Sequence, residues 1–131
     1  MEDNFKIEII SPERIIFSDE AKMVTLPSYE GDMSILKNHI SIIAFLRPGI
    51  VKIEKNDGKI ESFFAQDGTV EFFNNNLILL SAFIENVKNL SKEFFNELEK
   101  DTQKKLEGKE IADQDRYLLN HKLETIKEIR T

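Results

Sequence analysis

The apolar positions change period once along the chain, near Leu90. Before that point they come in short runs. Phe5, Ile7 and Ile9 alternate with Lys6 and Glu8, the period-two pattern of a half-buried strand. AKMVTLP, residues 21–27, predicts a second strand stopped by Pro27, which cannot donate to a ladder. From Ile50 to Phe64 two β-rich runs flank Asn56-Asp57-Gly58, where Asp-Gly supplies the positive φ angles of a tight hairpin. Residues 69–83 repeat the design with Asn74, Asn75 and Asn76 as the turn, since Asn tolerates the left-handed region. Close-spaced short strands without helical segments between them predict an antiparallel sandwich or barrel.

After Leu90 the period is helical. Leu90, Phe94, Leu98 and Leu106 fall on one face, Ser91 is placed to cap, Glu93 lies in the first turn, and Asp101 and Lys105 form a supportive i,i+4 pair. Gly108 ends this helix, and Asp113 can cap a second one carrying Leu119, Leu123 and Ile126 on one face. The expected organisation is therefore mainly β with α: a β-sandwich over residues 1–88 followed by a two-helix hairpin over 89–131. Each helix has one thin apolar stripe. Such a hairpin is marginal alone and must lie on its partner helix, the sandwich or another protein. Phe63-Phe64 and Phe72-Phe73 add to this. Neighbours in a strand point to opposite faces, so one of each pair leaves the main core, to be covered by the hairpin or by a partner.

Composition narrows the chemistry. With 18 basic and 24 acidic side chains the net charge is -6, which gives no electrostatic case for nucleic acid or an anionic lipid surface. No apolar run approaches the roughly 20 residues that span a bilayer. The N-terminus lacks the basic-then-apolar pattern of a secretory signal. With no cysteine, thiol catalysis and thiolate metal sites are excluded, and with only His39 and His121 so is a three-histidine zinc site. The five glycines make no GxGxxG or GxxxxGK, and neither G-x-S-x-G nor H-E-x-x-H occurs. Asp67-Gly68 reads as a turn. His39 with Asp32 upstream is the one candidate acid/base pair, and YEGDMSILKNHISIIAFLRPG around it reads either as an active-site loop or as a docking edge. No catalytic residue, metal or cofactor is expected.

The order of the short motifs then becomes specific. Ser11-Pro12-Glu13 with Phe17, Glu30-Gly31-Asp32, Leu36 to His39, Leu46 to Gly49, and Gly68 to Glu71 follow one another as in the epsilon subunits of bacterial F-type ATP synthases, counterparts of mitochondrial delta. The chain resembles that family along its whole length, because two C-terminal helices follow the sandwich there as well. It departs from the usual pattern at Ser34, at Lys37, Asn38, Ile40 and Ser41 around the histidine, and at Asp67 in place of a first glycine. At the first helix, relatives that bind ATP carry an aliphatic-Asp-x-x-Arg-Ala sequence. This chain reads LSKEFF, so no phosphate partner for ATP is expected.

The resemblance implies a non-catalytic rotor subunit of a proton-translocating ATP synthase, clamped to gamma and resting on the c-ring. It would lie peripherally on the cytoplasmic face of the plasma membrane. It implies ring contacts at Ser11, Glu30, Asp32 and His39, and a gamma contact at Ile50. It also implies a hairpin that folds down on the sandwich or extends into the catalytic head and inhibits hydrolysis. In that state Lys104, Lys105, Lys109, Arg116, Lys122, Lys127 and Arg130 would engage acidic surfaces of the alpha and beta subunits. Deleting everything after Lys92 is then expected to leave assembly intact. The competing reading is a free-standing sandwich that binds some other protein. A small β-barrel enzyme using Asp32 and His39 is the third.

Overall fold

A computed structural model of the chain describes residues 3–108 and 110–130, without the Arg130 side chain. Ten strands precede two helices: β1 Phe5–Ile10, β2 Ile15–Ala21, β3 Met23–Ser28, β4 Gly31–Leu36, β5 Ile42–Leu46, β6 Gly49–Glu54, β7 Ile60–Ala65, β8 Gly68–Phe73, β9 Asn76–Leu80, β10 Ile84–Asn86, α1 Lys92–Leu106 and α2 Asp113–Arg130. The strands form one hydrogen-bonded path, β10-β7-β6-β3-β5-β8-β9-β1-β2, with β4 on the side of β3. The path bends at β3, which meets β5 through the single pair Ser28 and Leu46. This bend sets two layers face to face. Side chains then close the open edges: Phe17 of β2 packs edge-on against Phe63 of β7 at 5.3 Å, Asp19 pairs with Lys55 at 2.9 Å, and Arg14 with Glu85 of β10 at 3.1 Å. Between the layers lies the main core, built from the alternating Phe5, Ile7 and Ile9 together with Val24, Leu26, Val51, Ile53, Phe63, Val70, Phe72, Leu77 and Leu79.

Both sequence-predicted turns form, the one between β8 and β9 as expected. Asn74 and Asn75 have φ of 50° and 59°, so both central residues of the β8–β9 turn are left-handed, as a type I′ turn demands. In the β6–β7 hairpin only Gly58 is left-handed, at φ 86°. Lys55 N–H donates to Lys59 O at 2.9 Å and Gly58 N–H to Lys55 O at 3.0 Å, so the loop is a three-residue one with Gly58 at its bulge, wider than the tight turn expected.

Two expectations for the strands change in detail. Pro27 does not stop β3. The strand runs on to Ser28 and pairs Pro27 with Asp32, and the proline carbonyl still accepts from Arg47 N–H at 3.0 Å. All pairings are antiparallel except β1 with β9, which is parallel. These strands are far apart in the chain, so no hairpin imposes a direction on them.

The helices behave as the stripe predicts, with a rotated centre. Ser91 caps α1, its Oγ accepting from Phe94 N–H at 3.0 Å, and Gly108 follows the last turn. Asp113 is the first residue of α2 rather than its cap, since Arg116 N–H already bonds to Ala112 O. On α1 it is Phe95 and Thr102 that are buried, and Phe94, Leu98 and Leu106 are half-buried beside them. The hairpin lies down on the outer face of β6 and β7. There Phe64, Phe95 and Ile126 form a second core, flanked by Ile50, Phe83, Val87, Leu90, Phe94, Leu98 and Ile129. Phe63 and Phe64 thus serve different cores on opposite faces of one strand, and the hairpin is what covers Phe64.

Candidate docking site

The register fixes which loops share an end of the sandwich. β1 ends at Ile10, opposite Leu80 of β9; Leu80 pairs with Thr69 at the start of β8; Gly68 pairs with Leu46 at the end of β5; and Leu46 pairs with Ser28, which pairs with Gly31. Ser11, Ser81, Asp67, Arg47 and the Tyr29–Asp32 tip therefore gather at one end. Ser11 Oγ donates to Arg14 O at 3.2 Å and shapes the β1–β2 turn. Asp67 accepts from Ser81 Oγ at 2.8 Å and from Ala82 N–H at 3.0 Å, a loop-bracing carboxylate rather than a reactive one. Asp32 pairs with Arg47 at 3.1 Å. Glu30 is exposed at the tip. Between this end and the start of α2 runs an open cleft lined by Ser11, Pro12, Tyr29, Phe45, Leu80 and Gln114, among others.

His39 is elsewhere. It follows β4, so the six residues of that strand, about 17 Å at roughly 3.4 Å per step, separate it from Asp32. It belongs to the opposite end, beside the Asn74-Asn75 turn: Asn38 N–H donates to Asn75 Oδ1 at 2.7 Å, and the His39 ring meets Phe72 edge-on at 5.9 Å. Its Nδ1 is 2.7 Å from the Ile40 carbonyl. Of the four ring residues expected from sequence, three share a surface and His39 does not. The Asp32–His39 pair needed for acid/base chemistry is not assembled. Among the described residues there is also no group of three or more His, Asp or Glu side chains placed to hold a metal ion.

A second surface was not legible in sequence as such. The outer face of the β5-β8-β9 layer carries Ile43, Phe45 and Phe73, exposed to 66%, 60% and 63%, with Leu80 across from Thr69. Ile43 opposes Glu71 and so is diagonal to Phe73. The only sequence signal was that Phe72-Phe73 must split between faces, and Phe73 takes the outer one. Ile50, expected on a partner-binding face, is instead half-buried on β6 in the second core under the helices.

On the hairpin, Lys104, Lys105 and Arg116 are exposed, and so is Lys127. Lys122 differs: it is half-buried, and burial, then the charge of Lys105, lowers its pKa below the ordinary lysine value, with Asp101 opposing. Lys109 and the Arg130 side chain lie outside the described residues. At the start of α1, where the sequence reads LSKEFF, Phe94 stacks on Phe83 at 5.6 Å and Phe95 meets Phe64 at 5.7 Å, an apolar clasp.

Comparison with known proteins agrees with this architecture. Residues 4–87 match the family model described as ATP synthase, Delta/Epsilon chain, beta-sandwich domain. The chain is 42% identical over 128 residues to the ATP synthase epsilon chain of Pelagibacter ubique, covering 97% of this chain and 98% of that one. It is 41% identical over 73 residues to the ATP synthase epsilon chain of Nitratiruptor, covering 56% and 57% of the two. In fold it is similar to a chain of the Euglena gracilis mitochondrial ATP synthase (OSCP/F1/c-ring), with a TM-score of 0.77 at 15% identity over 99% of this chain and 81% of that chain. It is similar also to a chain of the Tetrahymena thermophila mitochondrial ATP synthase central stalk/c-ring, with a TM-score of 0.66 at 14% identity over 96% of each. Sequence order, sandwich and helical hairpin together place it: the chain belongs to the ATP synthase delta/epsilon family.

Proposed function

We propose that this chain is a non-catalytic central-stalk subunit that joins gamma to the c-ring of an F-type, proton-translocating ATP synthase. Family membership supports this, and the observation that carries it is the exposed apolar face formed by Ile43, Phe45, Phe73 and Leu80 on one layer of the sandwich. Exposed large apolar side chains gathered on one sheet face, here around Thr69 and Glu71, are the mark of a protein interface. In this reading gamma covers that face, with His39 bordering it. Ile50 reaches a partner only when the helices lift from β6. The acidic end, with Ser11, Glu30 and Asp32, meets polar and basic loops of the ring, and that contact weakens with salt. The two close-packed layers between these surfaces are stiff enough to carry torque.

The hairpin is the regulatory element of this proposal. It lies folded on the sandwich through a small second core and carries many exposed charges, so its docked state rests on few contacts. Released, Lys104, Lys105 and Arg116 would engage acidic surfaces of the alpha and beta subunits and block hydrolysis. The subunit would lie at the cytoplasmic face of the membrane, held there by its partners. The test is recovery of a tagged chain from detergent-solubilised membranes. Gamma and the c subunit should come with it in fixed ratio, and recovery of the chain without gamma overturns the proposal.

A further inference from the structure

We propose that closure of the hairpin and docking at the Glu30–Asp32 end are energetically coupled, through a row of side chains by which α2 clasps the two loops of that end. The identity of the docked partner rests on the reading above; the coupling resides within this chain.

Tyr117, His121 and Thr125 follow at four-residue spacing and so share one face of α2. Tyr117 Oη donates to the Tyr29 carbonyl at 2.8 Å, and the two rings meet edge-on at 6.3 Å. The Tyr117 ring also meets the His121 ring edge-on, 4.5 Å between ring centres. Two turns further, the buried Thr125 hydroxyl, which donates to His121 O at 2.8 Å, lies 3.4 Å from the Pro48 carbonyl. The first contact is on the β3–β4 tip and the second on the β5–β6 turn.

These loops act as one unit. Tyr29 N–H donates to Phe45 O at 3.1 Å, Arg47 N–H donates to Pro27 O at 3.0 Å, and the Arg47 guanidinium reaches Asp32 at 3.1 Å. Arg47 is largely buried, so the tip and the turn move together. The peptide that Tyr117 grips, at Tyr29, immediately precedes Glu30 in the chain. A closed hairpin therefore holds Glu30 and Asp32 in the conformation in which they meet a partner. By reciprocity a partner seated on them favours the closed hairpin, and departure of one loosens the other. Hairpin opening thereby reports on whether the Glu30–Asp32 end is occupied.

The variant that isolates the link is Tyr117→Phe, which removes the donor and leaves the ring in place. Amide exchange on the full chain is the first readout. One net hydrogen bond corresponds to roughly 2- to 10-fold faster exchange across α2, and the same factor should appear at the Tyr29 and Arg47 amides, with β1 and β9 unchanged. Faster exchange in α2 with Tyr29 and Arg47 unaltered, or no change in either, overturns the coupling. The second readout is binding to purified c-ring in detergent micelles. Tyr117→Phe should bind about 2- to 10-fold more weakly than the parent. Equal binding overturns the coupling. Failure of the parent chain itself to bind overturns the docking assignment instead, and the exchange measurement then decides the coupling alone.

Discussion

Phe95→Ala tests whether the sandwich and the hairpin are energetically separate bodies. Phe95 is 3% exposed, edge-on to Phe64 at 5.7 Å and to Phe94 at 5.3 Å, in a second core of only three buried side chains. Truncating a buried phenylalanine costs about 3–5 kcal/mol, which multiplies an opening constant by about a hundred- to a few-thousand-fold. Phe95 belongs to the second core and not to the main one, so this loss falls chiefly on docking of the hairpin. If docking is itself worth less than the loss, the helices undock and the sandwich remains, because two short helices have little stability of their own. Amide exchange resolved along the chain reads this directly. Protection in α1 and α2 should collapse toward the open limit while β1, β8 and β9 keep theirs. Equal loss of protection in strands and helices would show one cooperative unit and refute the two-core reasoning.

Gly49→Ala sets a Cβ 2.5 Å from Cβ and 2.9 Å from Cγ of Pro27, a rigid ring, and should lower the denaturation midpoint by the equivalent of about 1–3 kcal/mol; an unchanged midpoint would show that β3 yields there. Lys122 has its pKa lowered by burial and by Lys105, so between that lowered value and the ordinary 10.5 the open form binds more protons than the closed one. Hairpin closure should therefore strengthen as pH rises through that window, with the penalty constant below it. Lys122→Met should close more firmly at neutral pH and lose this pH slope in a two-dye distance measurement. Deletion after Lys92 uncovers Phe64 and Ile50, so the truncated chain should bind a hydrophobic dye more strongly in isolation while still assembling with gamma.

Much of the fold was legible because alternation and turn chemistry agree. Phe5, Ile7 and Ile9 sit in the core as their period requires, and Asn74-Asn75 makes the turn that its backbone tolerance suggests. β4 and β5 were not legible as separate strands. Residues 42–46, IIAFL, are apolar on both faces, and with Ile43 and Phe45 exposed the alternation that marks a half-buried strand is erased. That same stretch carries part of the exposed apolar face, Ile43 and Phe45. On α1 the buried positions Phe95 and Thr102 lay beside the stripe read from Leu90, Phe94, Leu98 and Leu106, because tertiary packing on Phe64 selects the rotation of the helix. The acidic end was readable as a set of motifs. That His39 stands apart from it depends on the length and direction of β4, which motif order alone does not give.

In the proposed assembly the exposed sheet face holds gamma. The direct measurement is the affinity of purified gamma for the parent chain and for Phe73→Asp, a substitution at an exposed position that leaves both cores untouched. A loss of at least tenfold in affinity with unchanged thermal stability is expected, since a charge would have to be buried against an apolar surface. Unaltered affinity for gamma would contradict it.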